Sequence, residues 1–213
     1  MPKAEYALMY VTDDGIRDDN SFFAILEAAL KGGATIIQLR EKTSNTLAFY
    51  KRAMRCKDLC NTYGIPLIIN DRLDIALAID ADGVHIGQTD MPYDVARRLL
   101  GNSKIIGLSV SSKEQAEKQN AQAADYIGIS PIFSTNTKTT DLAQPLGISG
   151  LKEIRELYKK PIVCIGGIHK DNTQEIITNG ADGIAVVSAI SKAAHPEAAT
   201  KELKEIVCKT GTN

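Results

Sequence analysis

The chain has 213 residues, enough for one substantial core and at most two small domains. Apolar residues make up 44% and charged residues 24%, the balance of an ordinary globular protein rather than a disordered or membrane-embedded one. A formal net charge of −1 gives no general attraction to nucleic acid or to an anionic membrane, so any anion-binding charge must be local.

Short apolar runs alternate with longer amphipathic segments along the whole chain. The runs, read as strands, are Tyr6–Thr12, Thr35–Arg40, Pro66–Asn70, Gly83–Gly87, Lys104–Val110, Asp125–Ile132, Pro161–Gly167 and Asp182–Ser188. Helical spacing follows the first at Phe22, Phe23, Ile25, Leu26, Ala29 and Leu30. It follows the second at Leu47, Tyr50, Met54 and Leu59. A last helix is expected over Glu197–Lys209.

Strand-then-helix repetition with short joints implies parallel strands and right-handed crossovers. The strands are nearly continuous apolar runs, as both-face burial requires. Eight units at about 27 residues each describe a compact single (β/α)8 TIM barrel spanning 1–213 as one domain. An open doubly wound sheet would carry a G-x-G-x-x-G turn after its first strand, and Thr12-Asp13-Asp14-Gly15 does not fit one. The fourth and eighth strands begin alike, Asp82-Gly83-Val84 and Asp182-Gly183-Ile184, which hints at a half-barrel repeat.

The N-terminus lacks the apolar run of a signal peptide, and no stretch approaches the roughly 20 apolar residues of a membrane helix. A cytoplasmic location is therefore expected. The four cysteines, Cys56, Cys60, Cys164 and Cys208, have neither disulfide-framework nor zinc-site spacing and read as free thiols. No basic stripe or aromatic platform suggests nucleic acid. A homo-oligomer is compatible with a small barrel, but no interface is legible.

Polar chemistry gathers at the strand ends, where a barrel builds its site. Gln38 and Arg40 alternate onto one face near the mouth, and Lys42 follows. Arg40 can grip a phosphate bidentately while Lys42 adds a mobile charge. The plain alternative is a solvated Arg–Glu pair. Asn70-Asp71 ends the third strand and Asp90 follows the fourth. Each aspartate alone reads as a helix cap. Together they sit on neighbouring strands about 4.8 Å apart, so they could share Mg²⁺, which favours oxygen ligands. Ser109 lies in the fifth strand with no His–Asp pair in view to activate it, so ligand hydrogen bonding suits it better than nucleophilic attack. His85 could act as a general base or sit below the mouth; His169 and His195 fall near helix starts. Thr135-Asn136-Thr137-Lys138 offers small polar groups and one lysine after the sixth strand, and Gly166-Gly167 lets backbone N–H groups approach an anion.

These motifs, taken in order, resemble the thiamine-phosphate synthase family. The matching stretches are Q-L-R-E-K at Gln38–Lys42, N-D-R at Asn70–Arg72, G-V-H-I-G-Q-T-D at Gly83–Asp90 and G-L-S at Gly107–Ser109. P-I-F-S-T-N-T-K at Pro131–Lys138, I-G-G-I at Ile165–Ile168 and V-S-A-I at Val187–Ile190 complete the set. The resemblance implies a (β/α)8 transferase of thiamine biosynthesis that joins a pyrimidine diphosphate to a thiazole phosphate. It implies that Gln38, Arg40, Lys42, Asn70, Ser109 and Lys138 bind the pyrimidine diphosphate, with Arg40, Lys42 and Lys138 catalytic. Asp71 and Asp90 would hold Mg²⁺. Thr135, Asn136, Thr137, Gly167, Val187 and Ser188 would hold the thiazole phosphate. Two departures stand out: Ser130 and Ser134 occupy places where the family often has glycine and proline. Rival readings are a thiazole tautomerase-like barrel, which would need a proton-transferring base, and a non-catalytic sensor of phosphate ligands.

Overall fold

The computed structural model describes residues 5–134 and 144–210. Eight parallel strands close into a barrel in chain order: β1 (Leu8–Val11), β2 (Ile36–Leu39), β3 (Leu67–Asn70), β4 (Gly83–Ile86), β5 (Ile105–Val110), β6 (Tyr126–Ile129), β7 (Ile162–Ile165) and β8 (Gly183–Val186). Each falls inside a run read as a strand from sequence. β1 pairs with both β2 and β8, so the sheet has no edge to protect.

The helices form the outer ring: α1 (Asp19–Lys31), α2 (Thr46–Tyr63), α3 (Leu73–Ala78), α4 (Tyr93–Leu100), α5 (Lys113–Glu117), α6 (Gln119–Ala123), α7 (Gly147–Leu157), α8 (Lys170–Thr178), α9 (Ser188–Ser191) and α10 (Pro196–Thr210). Side chains start two of them: the Ser21 N–H donates to Asp18 at 2.8 Å and the Ala48 N–H to Asn45 at 2.9 Å. Gly64, left-handed at φ 66°, ends α2.

Strand alternation divides the apolar residues into two clusters. Leu8, Tyr10, Ile37, Leu39, Leu67 and Ile69 face the helices, while Met9, Val11, Ile36, Ile68, Tyr126, Val163 and Ala185 fill the barrel interior. On α1 the expected face is buried through Phe22, Leu26, Ala29 and Leu30. On α2 the expected face is met in part: Tyr50 and Leu59 pack half-buried against the core, whereas Leu47 and Met54 are exposed. The fully buried residues are Phe49, Ala53, Cys56 and Cys60, which keep helical spacing but are mostly small residues and thiols.

The foot of the barrel is fastened by one device used four times. The Leu8 N–H donates to Thr35 Oγ1 at 3.0 Å, Leu67 N–H to Asp82 at 2.8 Å, Ile106 N–H to Asp125 at 2.7 Å and Ile162 N–H to Asp182 at 2.8 Å. A side chain at the start of each even strand thus holds the start of the odd strand before it. The three aspartates also pair with helix cations, Lys57 at 2.7 Å, Arg97 at 2.5 Å and Arg155 at 2.8 Å. The Asp82/Asp182 echo therefore belongs to this alternating pattern rather than to a half-barrel repeat alone.

Candidate active site

The β2 end sets the site's cationic side. Gln38 is buried, donating to Met9 Sδ at 3.3 Å. Thr12 Oγ1 accepts from Arg40 N at 3.0 Å and donates to Arg40 O at 3.2 Å, fixing the backbone from which the guanidinium extends. Arg40 pairs with Asp14 at 2.7 Å. The solvated Arg–Glu pairing does not occur. Glu41 turns away and is buried, taking Arg52 at 2.9 Å, Arg17 at 3.3 Å and the N–H groups of Thr43 and Ser44 at 3.4 and 3.3 Å. This network stiffens the loop that carries Lys42.

The acidic side comes from β3 and β4. Asn70 closes β3 in register with His85. Asp71 is left-handed at φ 61°, a conformation aspartate tolerates better than most residues, and its N–H donates to His85 O at 2.8 Å. Its carboxylate forms an ion pair with Lys42. Asp90 accepts from Gly87 N–H at 2.7 Å and meets the Asp71 carboxyl. Burial first, and then the Asp71 carboxyl, raise the pKa of Asp90; the Gly87 N–H and the Lys42 ammonium oppose the rise. Neither aspartate caps a helix: Arg72 precedes α3 and Pro92 precedes α4, both without a side-chain cap. Among the described residues no group of three or more His, Cys, Asp or Glu is arranged for a metal. A pair of touching carboxylates with one cation opposite still suits a hard ion that completes its shell with ligand oxygens and water.

Beneath the mouth, Ser109 Oγ lies 2.9 Å from His85 Nε2, and His85 Nδ1 lies 2.8 Å from the Tyr126 hydroxyl. Burial lowers the His85 pKa to about 4, against the opposing charge of Asp90, so the ring is neutral at physiological pH. The serine thus has a histidine after all, but a tyrosine rather than a carboxylate stands behind it. Gln88 Nε2 donates to Ser109 O at 2.7 Å.

Thr135, Asn136, Thr137 and Lys138 lie outside the described residues. The segment leading into them is tied to the β7–α8 turn: Ile132 N–H donates to Ile165 O at 2.9 Å and Phe133 N–H to Gly166 O at 3.1 Å. Gly166 and Gly167 have φ of 106° and 64°, and a Cβ on Gly167 would lie 2.5 Å from Ser134 O. Val187 and Ser188 follow β8 at the start of α9, which is joined to the β1–α1 loop by Ser191 Oγ donating to Asp13 at 2.9 Å. The predicted residues among those described thus lie at or near the ends of strands at one end of the barrel. Asp14, Thr12 and Tyr126 were not foreseen. The signal for Tyr126 was a tyrosine facing glycine-bearing strands, since both Gly107 and Gly128 lack a side chain where the His85–Tyr126 pair lies.

The family model described as thiamine monophosphate synthase matches residues 8–190. A thiamine-phosphate synthase of Chloroflexus aurantiacus is 47% identical over 206 residues, covering 97% of this chain and 94% of that protein. One of Clostridium acetobutylicum is 45% identical over 212 residues, covering both in full. A solved thiamine phosphate pyrophosphorylase from Pyrococcus furiosus superposes with a TM-score of 0.88 at 38% identity, covering 98% of each chain.

Proposed function

The chain belongs to the thiamine monophosphate synthase family, and from that membership we propose how its residues carry out the transfer. The enzyme is a transferase. It condenses 4-amino-2-methyl-5-(diphosphooxymethyl)pyrimidine with 4-methyl-5-(2-phosphooxyethyl)thiazole. The C–O bond to diphosphate breaks, a C–N bond to the thiazole nitrogen forms, and thiamine phosphate and diphosphate leave. The observation that supports the residue assignment is the pairing of Lys42 with Asp71 beside Asp90, at the end of the barrel where β2 also carries Arg40 and β5 carries Ser109.

Gln38, Arg40, Lys42, Asn70, Ser109 and Lys138 are proposed to bind the pyrimidine diphosphate. Arg40 exchanges Asp14 for phosphate oxygens, a bidentate match for its planar fork. Lys42 likewise turns from Asp71 to the leaving group. Asp71 and Asp90 are the residues that would hold Mg²⁺, which when bound neutralises negative charge on the departing diphosphate. The aminopyrimidine ring can stabilise a cation at its methylene, so departure precedes attack. The thiazole nitrogen already has a lone pair, so no protein base is needed. Neutral, enclosed His85 accords with that. Thr135, Asn136 and Thr137, with Gly167, Val187 and Ser188, are proposed to hold the thiazole phosphate. Closure of the Thr135–Lys138 segment would keep water from the cation.

Mass detection of thiamine phosphate after mixing protein, Mg²⁺ and both substrates tests the reading. Product is expected only when all three are present, and chelation by EDTA is expected to abolish it. Product formation at an undiminished rate in EDTA would remove Mg²⁺ from the proposal. Lys138→Ala is expected to lower turnover far more than it weakens thiazole phosphate binding; equal losses by kinetics and calorimetry would count against its catalytic role. No helix among the described residues is long and apolar enough to cross a membrane. Phosphorylated small-molecule substrates support a cytoplasmic setting, and sedimentation would establish whether the protein is a homo-oligomer.

A further inference from the structure

A polar chain crosses the otherwise apolar barrel interior directly beneath the mouth. It runs from Tyr126 on β6 to His85 on β4 and then to Ser109 on β5. Around it are Met9, Val11, Ile36, Ile68, Val163 and Ala185. Two glycines make its room. A Cβ on Gly107 would lie 2.1 Å from the Tyr126 ring, and one on Gly128 would lie 2.9 Å from His85 Cε1. Among the described residues no buried side-chain nitrogen or oxygen lacks a hydrogen-bond partner.

Counting hydrogens gives the chain a direction. The Tyr126 hydroxyl is buried and lies 2.8 Å from His85 Nδ1, the acceptor that its one hydrogen can reach, and the hydrogen goes there. A neutral imidazole carries a single N–H, which must therefore be on Nε2 and is donated to Ser109 Oγ. The Ser109 hydrogen is left to point away from His85 and into the mouth.

We propose that Tyr126 and His85 form a directional hydrogen-bond relay that fixes the Ser109 hydroxyl as a donor to an anionic oxygen of the substrate's diphosphate. The inference rests on the diphosphate site proposed above. His85 is a positioning residue here. With its proton on Nε2 it cannot take the Ser109 proton, so a Ser–His contact that resembles a nucleophilic pair is in the wrong tautomer for one. Serine presented as a donor favours the charge-bearing diphosphate over an uncharged alcohol at the same carbon.

Nitrogen-15 NMR of the whole protein, labelled at histidine, reads the tautomer directly. His85 is expected as the Nε2–H form, and the Nδ1–H form would overturn the relay. This holds whether or not any variant folds. In steady-state kinetics, Tyr126→Phe is expected to lower kcat about tenfold, as for one lost aligned hydrogen bond, with the KM for the thiazole phosphate unchanged. Ser109→Ala is expected to cost more, and Tyr126→Phe to add nothing on top of it. Losses that multiply in the double variant would mean that Tyr126 acts independently of Ser109, and the relay would fail. A wild-type protein with the Nε2–H tautomer that forms no thiamine phosphate would instead overturn the functional reading.

Discussion

Asp90→Ala is expected to lower kcat about a thousandfold, roughly 4 kcal/mol of transition-state stabilisation, with the barrel still folded. The carboxylate accepts from Gly87 N–H beside the Asp71 carboxyl, and it braces no strand. Its removal leaves one loop N–H to water, a small structural cost. For function the loss is different in kind. Asp71 alone would have to hold the cation. Asp71→Ala is expected to do comparable damage, and the double variant to be little worse than either, because residues acting as a unit are not additive. Mn²⁺ binding followed by electron paramagnetic resonance should weaken in parallel, independently of turnover. Either single variant retaining activity within tenfold of wild type at saturating Mg²⁺ would dissolve the proposed pair.

Gly183→Ala should destabilise the fold by about 3 kcal/mol or more, the upper range for overpacking a rigid site. A Cβ there would sit 1.7 Å from Tyr6 O and 2.9 Å from Ala7 O. Those are backbone atoms leading into β1, and no rotamer change can move them aside. The Ile184 N–H donates to Ala7 O at 3.1 Å in the same place, so the seam between β8 and β1 that closes the barrel would part. Gly83→Ala meets Ile105 O at 2.1 Å and is expected to behave alike. Denaturant unfolding at constant m-value measures both. A midpoint corresponding to less than about 1 kcal/mol of loss would mean that the strands have slack this geometry does not contain.

The barrel was legible in the chain because strands covered on both faces are written as unbroken apolar runs, and eight such runs leave few arrangements. Helix faces were less so. Leu47 and Met54 drew the eye on α2, yet burial went to Ala53, Cys56 and Cys60, whose hydrophobic signal is weak. At the mouth, Arg40, Lys42, Asp71 and Asp90 could be named because charged residues at strand ends stand out locally. The Tyr126–His85 contact could not, since it joins residues 41 apart across the barrel and exists only once β4, β5 and β6 curve together. Tyr126 read as one more apolar strand residue. Asp14 was hidden in the same way: in a loop sequence it is an ordinary turn residue, and only closure brings it to Arg40.

The four fastenings made by Thr35, Asp82, Asp125 and Asp182 all lie at the starts of strands, a strand's length, roughly 13 Å, from the loops proposed to bind ligand. Coherence of the scaffold and choice of cargo are therefore assigned to opposite poles of one cylinder. Loops at the open pole can be exchanged, lengthened or refitted to another phosphorylated heterocycle while the anchored pole stays as it is.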